Sequence, residues 1–290
     1  MNIWITLIIV TITYIGITLG KFPRLRANRT TIALIGVGLL LVFGQITFGQ
    51  ISGFLNLDTL VLLFGMVVIN VNLQLAGFFR LAGAAILKFT RGPRSLLALE
   101  IVVAGLLSAL FLNDTICLVL APLILNMTLN AKRNPVPYLI ALATASNIGS
   151  VATLTGNPQN MIIGIASNIS YLRFAAALTP VALLGLGGVW LVIILFYRDE
   201  FNAGVFESVH VPETEDPLLW PLLYKSVFVV VGLLIALLVG APIAESAFIA
   251  GCVLLLIAQV TPAKILDAIN TDLLFFFGAL FIISGTIESS

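Results

Sequence analysis

The sequence predicts an all-α polytopic membrane protein built on an inverted repeat, with a re-entrant helical hairpin and a broken transmembrane helix. Three observations predict it. Sixty per cent of the 290 residues are hydrophobic and 9% are charged, with a mean hydropathy of +1.15, where a soluble domain carries roughly 25% charged residues. One long apolar run, Ser95–Leu129, is interrupted at its centre by Asn113, Asp114 and Thr115. A second stretch that should lie inside a span, Ala143–Asn160, is loaded with polar side chains, two glycines and a proline.

The first helix, Ile3–Leu19, follows Met1-Asn2-Ile3-Trp4, which lacks the basic region of a cleaved signal, so the helix is expected to be retained. Further spans are expected at Thr31–Phe48, Thr59–Leu75, Tyr138–Ile165, Phe174–Phe196, Ser226–Val239, Ala247–Ile257 and Leu273–Ile287, punctuated by Gly20, Pro135, Pro180, Pro221 and Pro242. Asp58 and Asp272 stand where helices begin and suit the helix dipole. Trp4 and Trp220 fit interfacial anchors. Gly185, Gly187 and Gly188 read as close helix packing, since no strand precedes them to make a phosphate loop. Cys117 and Cys252 lie in apolar runs and suggest neither a metal site nor a disulfide. The single histidine, His210, falls in a polar loop, which excludes a histidine proton relay within the membrane. A net charge of +1 gives no reason to expect nucleic acid as a partner.

The hairpin at 95–129 has apolar arms of about seventeen and fourteen residues and basic residues at both ends, Arg91 and Arg94 before it and Lys132 and Arg133 after it. A helix that crosses once should not carry basic residues at both ends. Two full crossings need about 20 residues each, so the arms read as too short and the hairpin as re-entrant. Non-helical backbone at such depth survives only inside protein or beside a water-filled cavity. With the N-terminus outside and the hairpin returning to the side it left, every one of the 14 basic residues except Arg173 falls inside. Loops 20–30, 79–94, 130–137 and 197–225 are then cytoplasmic. Reading the hairpin as two full spans gives the same sidedness; reading it as one span does not.

Residues 1–197 are expected to form a first repeat, 198–224 an acidic cytoplasmic linker (Asp199, Glu200, Glu207, Glu213, Glu215 and Asp216), and 225–290 an incomplete second repeat. The repeat is read from Ala33-Leu-Ile-Gly with Gln45-Ile-Thr, Ile51 and Asn56-Leu-Asp58, against Ala247-Phe-Ile-Ala with Gln259-Val-Thr, Ile265 and Asn270-Thr-Asp272, at an offset of 214. An odd number of crossings between the copies inverts the second, and inverted repeats place a solute site near the bilayer midplane. The second copy shows no counterpart of the Asn113 hairpin before Ser290, so the sequence is expected to be incomplete or to need a partner.

The polar stretch holds Thr144, Ser146, Asn147, Ser150, Thr153, Thr155, Asn157, Gln159 and Asn160. An unbroken lipid-facing helix does not tolerate this load. Gly149 and Gly156 permit the backbone to open, and Pro158 removes a donor and clashes with the preceding turn. A broken helix over 138–165 follows, whose freed carbonyls suit a cation and whose freed amides suit an anion. A kinked helix packed through small residues is the plainer alternative. Asp114 is the most informative charge, because a carboxylate in the membrane costs roughly 2.5–3.5 kcal/mol on insertion scales. It needs a cation, a proton or a basic partner, or it caps the second arm. Glu100, one turn or so inside Arg94, reads as a carboxylate that snorkels to the surface or pairs with Arg94, with a proton site as the sharper alternative.

The two polar segments resemble those of the ion transporter superfamily, which includes divalent anion/sodium symporters, citrate carriers and arsenite permeases. The tip Asn113-Asp114-Thr115 followed by Leu120-Ala-Pro-Leu is similar to the arsenite-permease and citrate-transporter-like branch, and Gly156, Pro158 and Asn160 match the family's Gly-x-Pro-x-Asn pattern. The resemblance implies a secondary transporter of a small inorganic or organic anion, with no enzymatic cofactor, in the cell membrane and as a homodimer. It implies a sodium or proton site between Asn113–Thr115 and Ser146–Thr155, with sodium near Asp114 and Asn147. Asn113, Asp114, Thr115, Ser146, Asn147, Ser150, Thr153, Thr155, Asn157 and Asn160 would bind, and Gly149, Gly156 and Pro158 would shape the backbone. Asp114, where a neutral residue is usual in the dicarboxylate branch, argues against a dianion. Two rivals remain: a sodium/proton antiporter, and a membrane fragment that does not transport and acts with a partner. No nucleophile–base pair points to an enzyme.

Overall fold

The computed structural model describes residues 2–20, 27–202, 218–258 and 271–289, together with 260, 263, 265, 268 and 269. The described residues form helices and connecting turns: α1 (Ile3–Leu19), α2 (Arg29–Val42), α3 (Phe48–Phe54), α4 (Leu57–Ala76), α5 (Phe78–Phe89), α6 (Pro93–Leu110), α7 (Asn113–Asn130), α8 (Pro135–Ser150), α9 (Pro158–Ser167), α10 (Tyr171–Phe196), α11 (Arg198–Asn202), α12 (Trp220–Leu238), α13 (Ile243–Ile257) and α14 (Thr271–Glu288). Five of these (α4, α6, α10, α12 and α14) are long and apolar enough to cross a membrane, and α1, α2 and α13 are shorter apolar helices. The chain is an all-α polytopic membrane protein, and the broken helix is present as α8, a non-helical stretch and α9.

Two compact units divide the chain. The first comprises Met1–Phe64 and Ile269–Ser290. Its core is built by α1, α2 and α14 around Ile9, Val10, Val37, Leu40, Ala279 and Ile283. Asn2 caps α1 and Asn28 caps α2, each side chain accepting from a backbone N–H of the first turn. The acid expected at the start of the last helix does more than complement a dipole: Asn28 Nδ2 donates to Asp272 Oδ2 at 2.7 Å, and the Thr30 hydroxyl to the Asp272 carbonyl at 3.2 Å. The expected span Thr31–Phe48 stops earlier. α2 ends at Val42, Gly44 takes a positive φ of 65°, and Thr47 with Gln50 forms a capping box that starts α3 in a new direction.

The second unit, Gly65–Ala268, holds the hairpin and the broken helix. α6 and α7 pack on α8, α10 packs on α6 and α8, and α12 pairs with α13. Both open ends of the hairpin are fastened to the short helix α11. Arg94 at the start of α6 donates to the Phe201 carbonyl at 3.0 Å and to Asn202 Oδ1 at 2.8 Å, and Arg133 beyond α7 lies 3.9 Å from Glu200. The two open ends of the hairpin thus lie together against α11. Its arms are longer than the apolar run suggested, because Pro93 starts α6 at a position where a missing N–H costs nothing. At 18 residues α6 is long enough to cross, so arm length does not by itself argue for re-entry.

The segment 79–94, expected as a loop, is largely the helix α5. Phe78 and Phe79 meet Phe111 edge-on in the hairpin turn, with ring centroids 5.8 and 5.9 Å away. Gly77, at φ 85°, separates α5 from α4. Of the expected linker, 198–202 is α11 and Trp220 opens α12. Residues 203–217, with His210, Glu207, Glu213, Glu215 and Asp216, lie outside the described residues, as do Lys21, Arg24, Arg26 and, in the second repeat copy, Gln259 and Asn270.

Candidate functional site

The hairpin turns at Phe111, in extended backbone, and Leu112, and α7 begins at Asn113. The polar tip is thus the first turn of a helix. Its freed amides would normally need a cap, but Leu112 supplies no side-chain bond. The Asn113 N–H instead donates to the Gly156 carbonyl, in the non-helical stretch between α8 and α9, at 3.1 Å. Tip and broken helix thus satisfy each other's backbone groups.

Side chains repeat this link. The Ser146 hydroxyl donates to the Asn113 carbonyl at 2.9 Å, and Asn113 Nδ2 donates to Asn147 Oδ1 at 3.1 Å. The Thr153 hydroxyl reaches the Ala109 carbonyl at the end of the first arm, with the Thr155 hydroxyl 3.4 Å from it. Ser146, Ser150, Thr155, Asn113, Thr153, Asn157 and Asn160 are all buried.

The opened stretch, 151–157, is held from its far side. Asn157 Oδ1 caps α9 by accepting from the Asn160 N–H at 2.8 Å, while its Nδ2 donates to the Ser150 hydroxyl at 2.9 Å. Pro158 is the first residue of α9, where its fixed φ suits the helix. Asn160 Nδ2 lies within bonding distance of the carbonyls of Ser150, Val151 and Thr153, at 3.1, 3.3 and 2.8 Å. These are carbonyls that a continuous helix would have satisfied internally.

The glycines act differently from expectation. Gly149 lies inside α8, and neither it nor Gly156 has a positive φ. Both allow close approach. A Cβ at Gly149 would strike the backbone of Gly105 in α6, and one at Gly156 would strike the backbones of Ser150 and Ser108. The opening itself begins at Val151, beyond the last turn of α8.

The structure brings Asn113, Ser146, Asn147, Ser150, Thr153, Thr155, Gly156, Asn157 and Asn160 together. Asp114 and Thr115 follow Asn113 in the first turn of α7, with Asp114 and Asn147 both exposed. Asp114 complements the positive end of the α7 dipole.

Three buried polar groups escaped the sequence reading. Ser108, in the first arm, donates to the Ser146 hydroxyl at 2.9 Å and so joins the same network. A lone serine in an apolar arm carries no signal beyond its i+4 spacing from Ala104. Asn70 and Asn72, on α4, are buried, and Asn70 has no side-chain partner among the described residues. Two asparagines within one apolar helix were the signal for these. The reading of Glu100 is overturned. It is fully buried and so does not snorkel, and Arg94 is bonded to α11 instead of to it.

Residues 6–290 match the citrate transporter family. A silicon efflux transporter of Oryza sativa subsp. japonica is 38% identical over 182 residues, covering 63% of this chain and 38% of that protein. A putative arsB transporter of Dictyostelium discoideum is 27% identical over 179 residues, covering 62% of this chain and 32% of that protein. An uncharacterized transporter of Mycobacterium tuberculosis is 29% identical over 274 residues, covering 90% of this chain and 64% of that protein. The chain thus spans about a third of the length of the first two relatives and somewhat under two thirds of the third.

Proposed function

The chain belongs to the citrate transporter family, and from that premise we propose that it is a secondary active transporter of a small anion or oxyanion-like solute, driven by a sodium ion or a proton. The observation that carries this reading is the Asn113 N–H bond to the Gly156 carbonyl. It joins two interruptions of helical backbone, which is where a membrane protein has carbonyls and amides to spare for a solute. The citrate of the family and the silicon of the rice relative both point to oxygen-rich solutes.

In this reading the oxygens of Asn113, Thr115, Ser146, Asn147 and Thr155 share the solute and the coupling ion. Asp114 and Asn147 flank a sodium ion, and Asn157, Pro158 and Asn160 keep the stretch open. Ser150, Thr153, Gly149 and Gly156 hold it against the hairpin. Sodium would be held by the Asp114 carboxylate with carbonyl, hydroxyl and amide oxygens, which suit a hard cation. The hairpin is re-entrant, the N-terminus lies outside, and 1–197 and 225–290 are inverted repeats that work as a homodimer.

Uptake into proteoliposomes tests this. Citrate, silicic acid and arsenite are offered under an imposed sodium or pH gradient, and gradient-driven accumulation of one of them is expected. Sodium/proton exchange with no solute moved would replace this reading by an antiporter, which an exposed Asp114 would serve. No flux of any kind would leave a chain that acts only with a partner.

A further inference from the structure

The first arm of the hairpin holds a carboxyl that the site does not use. Glu100 is 0% exposed, and neither of its carboxylate oxygens has a hydrogen-bond partner among the described residues. It sits on the buried stripe of α6 with Leu97, Ile101, Ala104 and Ser108. An anion in that position keeps no hydration and gains no donor, which is the costliest way to bury a charge. A neutral carboxylic acid removes the charge at the cost of one unmade hydrogen bond.

The surroundings of Glu100 decide how it exchanges a proton. Of the other helices packed on α6, α5 carries Arg80 and Lys88, α7 Asp114 and Cys117, α10 Tyr171 and Arg173, and α11 Arg198, Asp199 and Glu200. α8 carries Tyr138, which is fully buried. The Tyr138 hydroxyl donates to Glu200 Oε1 of α11 at 3.1 Å, and Glu200, 13% exposed, lies 3.9 Å from Arg133. Tyr138, Glu200 and Arg133 thus bond to one another at the open end of the hairpin, and none of them bonds to Glu100. In the other direction Ser108 is two helical turns on, about 12 Å along the axis, where it bonds Ser146 and through it the Asn113 carbonyl. One helix therefore carries the buried carboxyl and a member of the candidate solute site.

We propose that Glu100 is the proton-binding site of this chain, and that its occupancy is coupled along α6 to the site at Asn113 and Ser146. The coupling half of this proposal rests on the transport reading above and makes its driving ion a proton. Loading forms one O–H bond on a carboxylate oxygen with a proton taken from water. Release breaks that bond and returns the proton, and no electron moves. Loading turns an unpartnered buried anion into a neutral group, so the observed arrangement of α6 suits a loaded Glu100, and an emptied one is driven towards water or a cation. With one proton exchanged per solute, each pH unit of gradient raises the accumulation ratio at most about tenfold.

Two measurements on the whole chain in lipid vesicles test the two halves separately. Infrared spectra at neutral pH should show the carbonyl stretch of a protonated carboxyl in the wild type and not in Glu100→Gln. A wild type without that band, or a variant that keeps it, overturns the proton site, whether or not any solute is carried. The second measurement is arsenite flux driven by a pH gradient. Glu100→Gln should lose its dependence on the gradient, while Glu245→Gln, at an exposed carboxyl outside the site, should keep it. A Glu100→Gln flux that still follows the gradient overturns the coupling. Wild-type vesicles that move no arsenite, citrate or silicic acid defeat the transport reading and the coupling half with it, and the infrared band still decides the proton site.

Discussion

Asn160 shows what a single residue contributes to the broken helix. Its amide nitrogen serves the carbonyls of Ser150, Val151 and Thr153, so Asn160→Ala leaves buried acceptors unpaired, at about 1–3 kcal/mol for the first of them. Thermal unfolding in detergent should fall clearly for this variant. It should stay near wild type for Thr144→Val, since Thr144 is exposed and bonds only within its own helix. An Asn160→Ala melt equal to the wild type would mean that the amide does not hold the opening. The sequence made Asn160 a candidate through its polar company. It did not give the role, because the partners are backbone groups whose positions depend on where α8 stops. Glu100 misled for a related reason. Its basic neighbour Arg94 is drawn to Phe201 and Asn202, more than a hundred positions away in the chain, and no local pattern announces that competition.

Among the elements, the contact of α6 with α8 sets the distance between the hairpin and the polar stretch. It is made backbone to backbone at Gly105 and Gly149. Gly149→Ala should therefore push the helices apart, at about 1–3 kcal/mol for overpacking, and reduce flux with it. Gly187→Ala on α10 meets nothing within 4 Å and should be neutral or slightly stabilising, by up to about 1 kcal/mol of helix propensity. Equal stability of the two variants would refute the close-contact account. The hairpin was legible because three polar residues in an apolar run leave few other readings. Its turn falls at Phe111 and Leu112, just before those residues, since Asn113 and Asp114 are stabilised as the first turn of α7. α5 was not legible, because Arg80 and Lys88 within twelve residues read as a cytoplasmic loop. Its apolar face is used against the hairpin, where Gly83 lies on Leu123.

For the whole molecule, charge and the hairpin's closure predict the sidedness. Arg94 and Arg133 are both tied to α11, so the two ends of the hairpin are predicted to share one side, and by the positive-inside rule that side is predicted to be cytoplasmic. The broken helix then runs from that side to the turn before α10, which should be outside. Single cysteines placed in a chain lacking Cys117 and Cys252 test this at two exposed positions, Asn130 after the second arm and Ile169 between α9 and α10. With a membrane-impermeant maleimide on intact cells, Ile169→Cys should be labelled at once and Asn130→Cys only after permeabilisation. Re-entry is a separate question, since one span more or fewer in the hairpin changes the sidedness but two spans in place of re-entry do not. Thr115→Cys separates those two: a re-entrant tip meets water only within the membrane and should react with a small permeant thiol reagent slowly and in a solute-dependent way. A tip that had crossed completely would react with the impermeant maleimide from outside as fast as Ile169→Cys.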